Sequence, residues 1–105
     1  MYFWRHNQGM NRKKLSDSEL AFALSSMPGW EFHDGHIVKS YSFDSYAHGM
    51  MFAVAVGHFA DQMDHHPSLL VSYGVVVVSL NTHDADGITE FDLALAKKAD
   101  LLAMA

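Results

Sequence analysis

Apolar residues recur along this chain with two different periods, and the switches between them mark seven elements. From Ser16 to about Met27, residues Leu20, Ala23, Leu24 and Met27 share one face at helical spacing. Ser16 and Glu19 form a Ser-x-x-Glu capping box, Leu15 and Leu20 a hydrophobic staple, and Pro28-Gly29 a stop. Trp30 to Asp34 and His36 to Phe43 read as two strands about an Asp34-Gly35 hairpin turn. Lys39 interrupts an otherwise clean period-two alternation in the second of them. A longer helix, capped by Asp44 or Ser42, runs to about Asp64 with Tyr46, Gly49, Phe52, Ala53, Val56, Ala60 and Met63 on one stripe. Met50, Met51, Val54 and Phe59 add apolar surface outside that stripe, which points to a second packed face such as a subunit contact.

Leu69 to Tyr73 and Val75 to Thr82 read as a second strand pair around Gly74. Val76, Val78 and Leu80 face one side, and Val75 and Val77 suggest that the other is partly covered too. Thr89 to about Ala103 is the last helix, with Thr89 and Asp92 as a capping box that carries aspartate in the glutamate position. The order helix-strand-strand-helix-strand-strand-helix predicts an α+β two-layer sandwich: a four-stranded antiparallel sheet with helices packed on one face. Residues 15–105 are expected to form one domain. Residues 1–14 form an N-terminal extension, expected to be flexible, with Met10 as an alternative start.

Composition narrows the functional classes. Half of the 105 residues are hydrophobic, enough for a packed core, yet a domain of this size buries only about 60–65% of its unfolded surface, so an oligomer interface is expected. Twelve acidic residues against seven basic ones give a net charge of −5, which lacks the basic footprint of nucleic-acid binding. Arg5, Arg12, Lys13 and Lys14 lie within the extension and read as a solvated basic tail. The absence of cysteine removes disulfides, thiolate metal sites and a cysteine nucleophile. No stretch is apolar enough for a membrane span or a signal peptide, so the expected location is the cytoplasm.

Eight histidines are many for this length. His6, His33, His36, His48 and His58 have no local partner pattern and read as surface or structural residues. The run Asp64-His65-His66-Pro67 stands apart, because it sits where the long helix must stop and Pro67 disfavours helical geometry at His66. Adjacent histidines at such a turn project in different directions, and their imidazoles exchange protons near neutrality. The ordinary alternative is that they cap the helix against its dipole. His83 opens the loop THDADGIT at the end of the last strand, a common place for functional side chains and equally for structural ones. His58, Asp61, His65 and His66 are ligand-type residues without a recognised metal spacing, so no metal is expected. There is no Gly-x-Ser-x-Gly, phosphate loop or dinucleotide fingerprint.

Taken together these features resemble the pterin-4a-carbinolamine dehydratase family over roughly Leu15 to Ala96. The similarity runs through Gly29 and Trp30, Phe43 and Tyr46, then Phe52, Val56, Ala60 and Asp61. It continues with His65-His66-Pro67, a tyrosine (Tyr73) six residues beyond the proline, the strand residues Val76, Val78 and Leu80, and the TH-x-x-x-GIT pattern ending in Asp92. The resemblance implies that His65, His66 and His83 are the catalytic histidines, that Asp61 stands near the pocket where a glutamate is usual, and that Asp92 is the acidic residue of the last helix. It further implies substrate contacts from Asp61, Pro67, Ser79, Thr82 and Asp92. The one-methylene-shorter Asp61 would loosen a supporting contact, and Leu69, where an aromatic residue is common, would alter one pocket wall.

The implied reaction removes water from a 4a-hydroxytetrahydropterin, with His65 and His66 as acid and base and His83 binding the ring. The pterin is then substrate, and no cofactor is expected. The resemblance also implies a homodimer or homotetramer and a link to aromatic amino acid hydroxylases, whose cofactor the reaction recycles. The alternative within the family is a non-enzymatic binding module, either a transcriptional dimerisation cofactor or an assembly chaperone. A metal enzyme of another fold is a third alternative.

Overall fold

The computed structural model describes residues 10–105, so the expectations for Arg5 and His6, and for a flexible stretch before Met10, lie outside the described residues. Among these, helix α1 (Asp17–Leu24) is followed by strands β1 (Glu31–His33) and β2 (His36–Ser42), helix α2 (Tyr46–Met63), strands β3 (Ser68–Ser72) and β4 (Val75–Leu80), and helix α3 (Glu90–Ala103). A 3-10 turn at His83–Ala85, absent from the sequence reading, precedes α3. The sheet is antiparallel throughout in the order β1-β2-β4-β3, with the helices layered on one face. This is the expected α+β sandwich.

Local chemistry sets most boundaries. Ser16 caps α1 with the full box, its hydroxyl accepting from the Glu19 amide and its own amide donating to Glu19. The regular helix stops at Leu24, earlier than Met27. There the Ser25 and Ser26 hydroxyls donate back to the Phe22 and Ala23 carbonyls, tightening the last turn. Asp34 and Gly35 both take positive φ, 47° and 82°, as the primed turn of a tight hairpin requires. The cap of α2 is Ser45, not Ser42 or Asp44. Ser42 still belongs to β2, and the extended Ser45 brings its hydroxyl to the His48 amide.

The predicted α2 stripe packs on the sheet through buried Gly49, Phe52, Val56, Ala60 and Met63. A Cβ on Gly49 would come within 3.2 Å of Val76, so glycine lets the helix approach closely. Tyr46, expected in that stripe, is the first residue of the helix and is half exposed. Val76, Val78 and Leu80 of β4 are fully buried beneath α2 and α3, and Val75 and Val77 on the opposite face are half-buried. Leu95, Ala96 and Ala99 of α3 complete the core.

A polar knot ties the far end of α3 to the sheet. Asp100 accepts from Tyr41 Oη at 2.5 Å, Lys39 Nζ at 2.9 Å and Trp30 Nε1 at 3.2 Å. Lys39, which broke the strand pattern, is therefore a partner of this knot, with its ammonium 5.0 Å from the Tyr41 ring. No described helix is long and apolar enough to cross a membrane.

Candidate functional site

The histidine pair is aimed by the way α2 ends. Asp64 takes left-handed geometry (φ 52°), the Asp64 amide donates to Asp61 O, and the His65 amide donates to Ala60 O. This is the Schellman arrangement with aspartate in the usual glycine position. The helix is thus capped by backbone turning, not by an imidazole, and Pro67 then holds the chain extended into β3. His65 points inward and His66 outward.

His65 is only 5% exposed. Its Nε2 meets Asp92 Oδ1 at 2.5 Å, and its Nδ1 meets Arg12 Nη1 at 3.3 Å. Asp92 is fully buried, and its other oxygen accepts from Thr82 Oγ1 (2.7 Å) and the Thr89 amide (2.9 Å). Because Thr82 donates to Asp92, it accepts from the Thr89 hydroxyl at 2.8 Å, and Thr89 Oγ1 in turn accepts from the Phe91 amide at 3.3 Å. Every proton in this chain has one direction, which satisfies a buried carboxylate completely.

The same carboxylate therefore bonds to the loop carrying His65 and to the strand end carrying Thr82. His66 and His83 are the next residues on those two segments, about 3.8 Å further along each backbone. His66 is exposed, with Nε2 3.0 Å from the exposed Asp61 Oδ1. An Asp61 carboxylate that accepts from Nε2–H leaves Nδ1 as the lone-pair nitrogen. His83 is exposed at the head of the 3-10 turn. Thr82 and Gly87 close this loop as an antiparallel bridge, the Thr82 amide donating to Gly87 O at 2.8 Å.

The remaining sequence candidates fall around this centre. Pro67 is half-buried between His66 and β3. Thr82 and Asp92 are buried, and the hydrogen bonds described for their side chains run to protein groups. Ser79 is half-buried on β4 between buried Val78 and Leu80, so strand alternation turns it to the opposite sheet face. His33, His36 and His58 have local polar partners (Glu31, the Asp34 carbonyl and Gln62), and His48 packs against the Phe43 ring. Among the described residues no group of three or more His, Asp or Glu side chains is arranged to hold a metal.

One participant escaped the sequence reading. Arg12, taken as part of a solvated basic tail, lies 4.2 Å over the Phe91 ring and donates to the Asp64 carbonyl at 3.0 Å as well as to His65. Neighbouring bonds from the Asn11 amide to Glu90 (3.2 Å) and from the Leu15 amide to Ile88 O (2.8 Å) hold residues 11–15 against the domain. Only spatial proximity to His65 distinguishes Arg12 from the lysines beside it.

Comparison with known proteins follows the same outline. Residues 13–102 match the family described as pterin 4 alpha carbinolamine dehydratase. A provisionally named pterin-4-alpha-carbinolamine dehydratase of Sulfurisphaera tokodaii is 41% identical over 90 residues, which is 86% of this chain and 97% of that protein. The crystal structure of a transcriptional coactivator/pterin dehydratase from Brucella melitensis superposes with a TM-score of 0.83 at 32% identity, covering 87% of this chain and 99% of that one. A pterin dehydratase-like protein identified as a RuBisCO assembly factor in the alpha-carboxysome shares the fold, with a TM-score of 0.58 at 23% identity over 70% of this chain and 86% of its own.

Proposed function

This chain belongs to the pterin 4 alpha carbinolamine dehydratase family, and on that premise we propose that it dehydrates a 4a-hydroxytetrahydropterin by histidine acid–base catalysis. The reaction breaks the C4a–O bond and the N5–H bond and forms the C4a=N5 double bond of the quinonoid dihydropterin. The N5 proton passes to a base, and the departing hydroxyl takes up a proton and leaves as water. Two imidazoles supply both transfers near neutral pH, with no metal or cofactor required.

The observation that carries this reading is the buried carboxylate of Asp92, which bonds both His65 and Thr82, the residues that immediately precede His66 and His83 in the chain. We assign proton exchange with the substrate to the two exposed histidines. His66, with Asp61 on Nε2, presents Nδ1 as the base, and His83 faces the substrate from the other loop and protonates the leaving hydroxyl or orients the ring. His65 acts from behind them, because both of its nitrogens are engaged inside the protein. Asp92 and Thr82 act through these histidines, and the backbone N–H and C=O groups from Ser79 to His83, together with Pro67, are the candidates for the pterin edge. The reaction would serve cytoplasmic recycling of the tetrahydropterin used by aromatic amino acid hydroxylases.

A second reading is supported by the outer side of α2, where Met51 and Val54 are 67% and 69% exposed next to Met50. A soluble domain that leaves such residues uncovered on one helix has a surface suited to self-association, as a dimer or tetramer, or to a protein partner.

The test is the absorbance change on dehydration of enzymatically generated 4a-hydroxytetrahydropterin, with wild type and His66→Ala. A rate well above the spontaneous reaction, cut by about 10²-fold or more in the variant, is expected from general acid–base catalysis. Folded wild type that gives no gain over the spontaneous rate sinks the enzymatic reading and leaves the binding-module one.

A further inference from the structure

Arg12 lies outside the histidine motif and approaches it from the chain's N-terminal side. Its guanidinium is a permanent donor with no acceptor lone pair. The Nδ1 atom of His65, 3.3 Å from Nη1, must therefore be the lone-pair nitrogen of that contact. On the other edge of the same ring, Nε2 faces a carboxylate oxygen of Asp92 that only accepts, so Nε2 carries the proton. A donor on one side and an acceptor on the other admit one form of the ring, the neutral tautomer protonated at Nε2. The guanidinium is itself held twice more, by the Asp64 carbonyl at 3.0 Å and by the Phe91 ring at 4.2 Å, so its fork is fixed before it meets His65.

We propose that Arg12 is a positioning residue that locks His65 as the neutral Nε2–H tautomer and so keeps the ring next to His66 uncharged. This rests on the dehydratase reading of His66. When His66 takes the N5 proton it becomes cationic, and a second cation on the adjacent residue would oppose that step. The charged groups bonded to His65 are Asp92 from α3 and Arg12 from the N-terminal segment, with Asp64 contributing its carbonyl to Arg12.

The test uses the full chain with 15N-labelled histidine, comparing wild type, Arg12→Ala and Arg12→Lys. Arg12 is exposed, so its truncation leaves the core intact, and circular dichroism verifies the fold. Wild type is expected to show a protonated Nε2 and a lone-pair Nδ1 for His65 at neutral pH. In Arg12→Ala the Nδ1 resonance moves, through loss of its donor or gain of a proton. The rate kcat falls about tenfold, within the range for a misplaced supporting group, while KM changes far less. Lysine, with one donor in place of a fork, restores part of both. An Arg12→Ala spectrum in which both His65 nitrogens match wild type overturns the lock, and an altered spectrum with unchanged kcat overturns its role in the reaction. A wild type without dehydratase activity refutes the functional reading separately, and the nitrogen spectra then decide the lock alone.

Discussion

Replacing Asp92 with asparagine keeps the shape of the side chain and changes one acceptor oxygen into a donor. In the native site both oxygens accept: Oδ1 from His65, and Oδ2 from the Thr82 hydroxyl and the Thr89 amide. If the new NH2 group takes the Oδ2 position, the Thr82 hydroxyl can turn to donate to Thr89 instead, but the Thr89 amide has no freedom to turn. It then becomes an unmatched donor in a fully buried place. If the NH2 group takes the Oδ1 position it meets Nε2–H of His65, and a tautomer swap only moves the conflict to Nδ1–H against Arg12. Either way one buried donor is orphaned, at about 1–3 kcal/mol, and the surviving bonds lose charge assistance, at roughly 1 kcal/mol. The expected loss is about 2–4 kcal/mol, a large fraction of a typical domain's stability. Urea unfolding followed by far-ultraviolet circular dichroism, at matched protein concentration, should show a midpoint lower by roughly 1–2 M with an unchanged slope. A midpoint within about 0.25 M of wild type would refute the claim that Asp92 is the fully satisfied centre of this network.

Two further outcomes follow from the geometry. Asp64 sits at the left-handed end of α2, so Asp64→Gly relieves backbone strain without losing the carbonyl that binds Arg12. A gain of about 0.5–1 kcal/mol is expected, or a rise of a few degrees in Tm, and a fall in Tm would contradict the capping argument. Burial, with the Asp100 carboxylate beside it, pushes the Tyr41 hydroxyl far above the ordinary tyrosine range. The folded state therefore favours the neutral phenol: this contribution is whole below the unfolded pKa near 10 and is lost as pH rises above it. Spectrophotometric titration at alkaline pH should show Tyr41 ionising only as the protein unfolds, whereas Tyr41→Phe should lack that late phase.

Much of the fold is local, and local signals announced it. The Ser16–Glu19 and Thr89–Asp92 boxes, the Asp34-Gly35 turn and the α2 stripe through Val56 and Met63 each depend on residues within a turn or two of one another. His65, His66 and His83 could be singled out for the same reason, since a helix stop, a proline and a strand end are written in neighbouring residues. The misplaced boundaries were also local, but they were contests between near-equal candidates, such as Ser42, Asp44 and Ser45 for one cap. Those are settled by which hydroxyl reaches an amide.

What the tertiary structure decided lies at longer range. The sheet order, with β2 beside β4 and the two hairpins joined through their second strands, depends on which apolar faces meet under α2 and α3, and no local pattern encodes that pairing. The same packing buries His65 while leaving His66 open, although the two are adjacent and chemically identical. It makes Asp92, which does cap α3 as read, also the carboxylate that joins two loops, across 27 residues to His65 and 10 to Thr82. It also sets Arg12, 53 residues away in sequence, against His65. Sequence spacing can nominate the residue types that exchange protons. Which of them is buried, which is open and which nitrogen carries the proton is fixed only when distant segments pack together and every buried donor must find an acceptor.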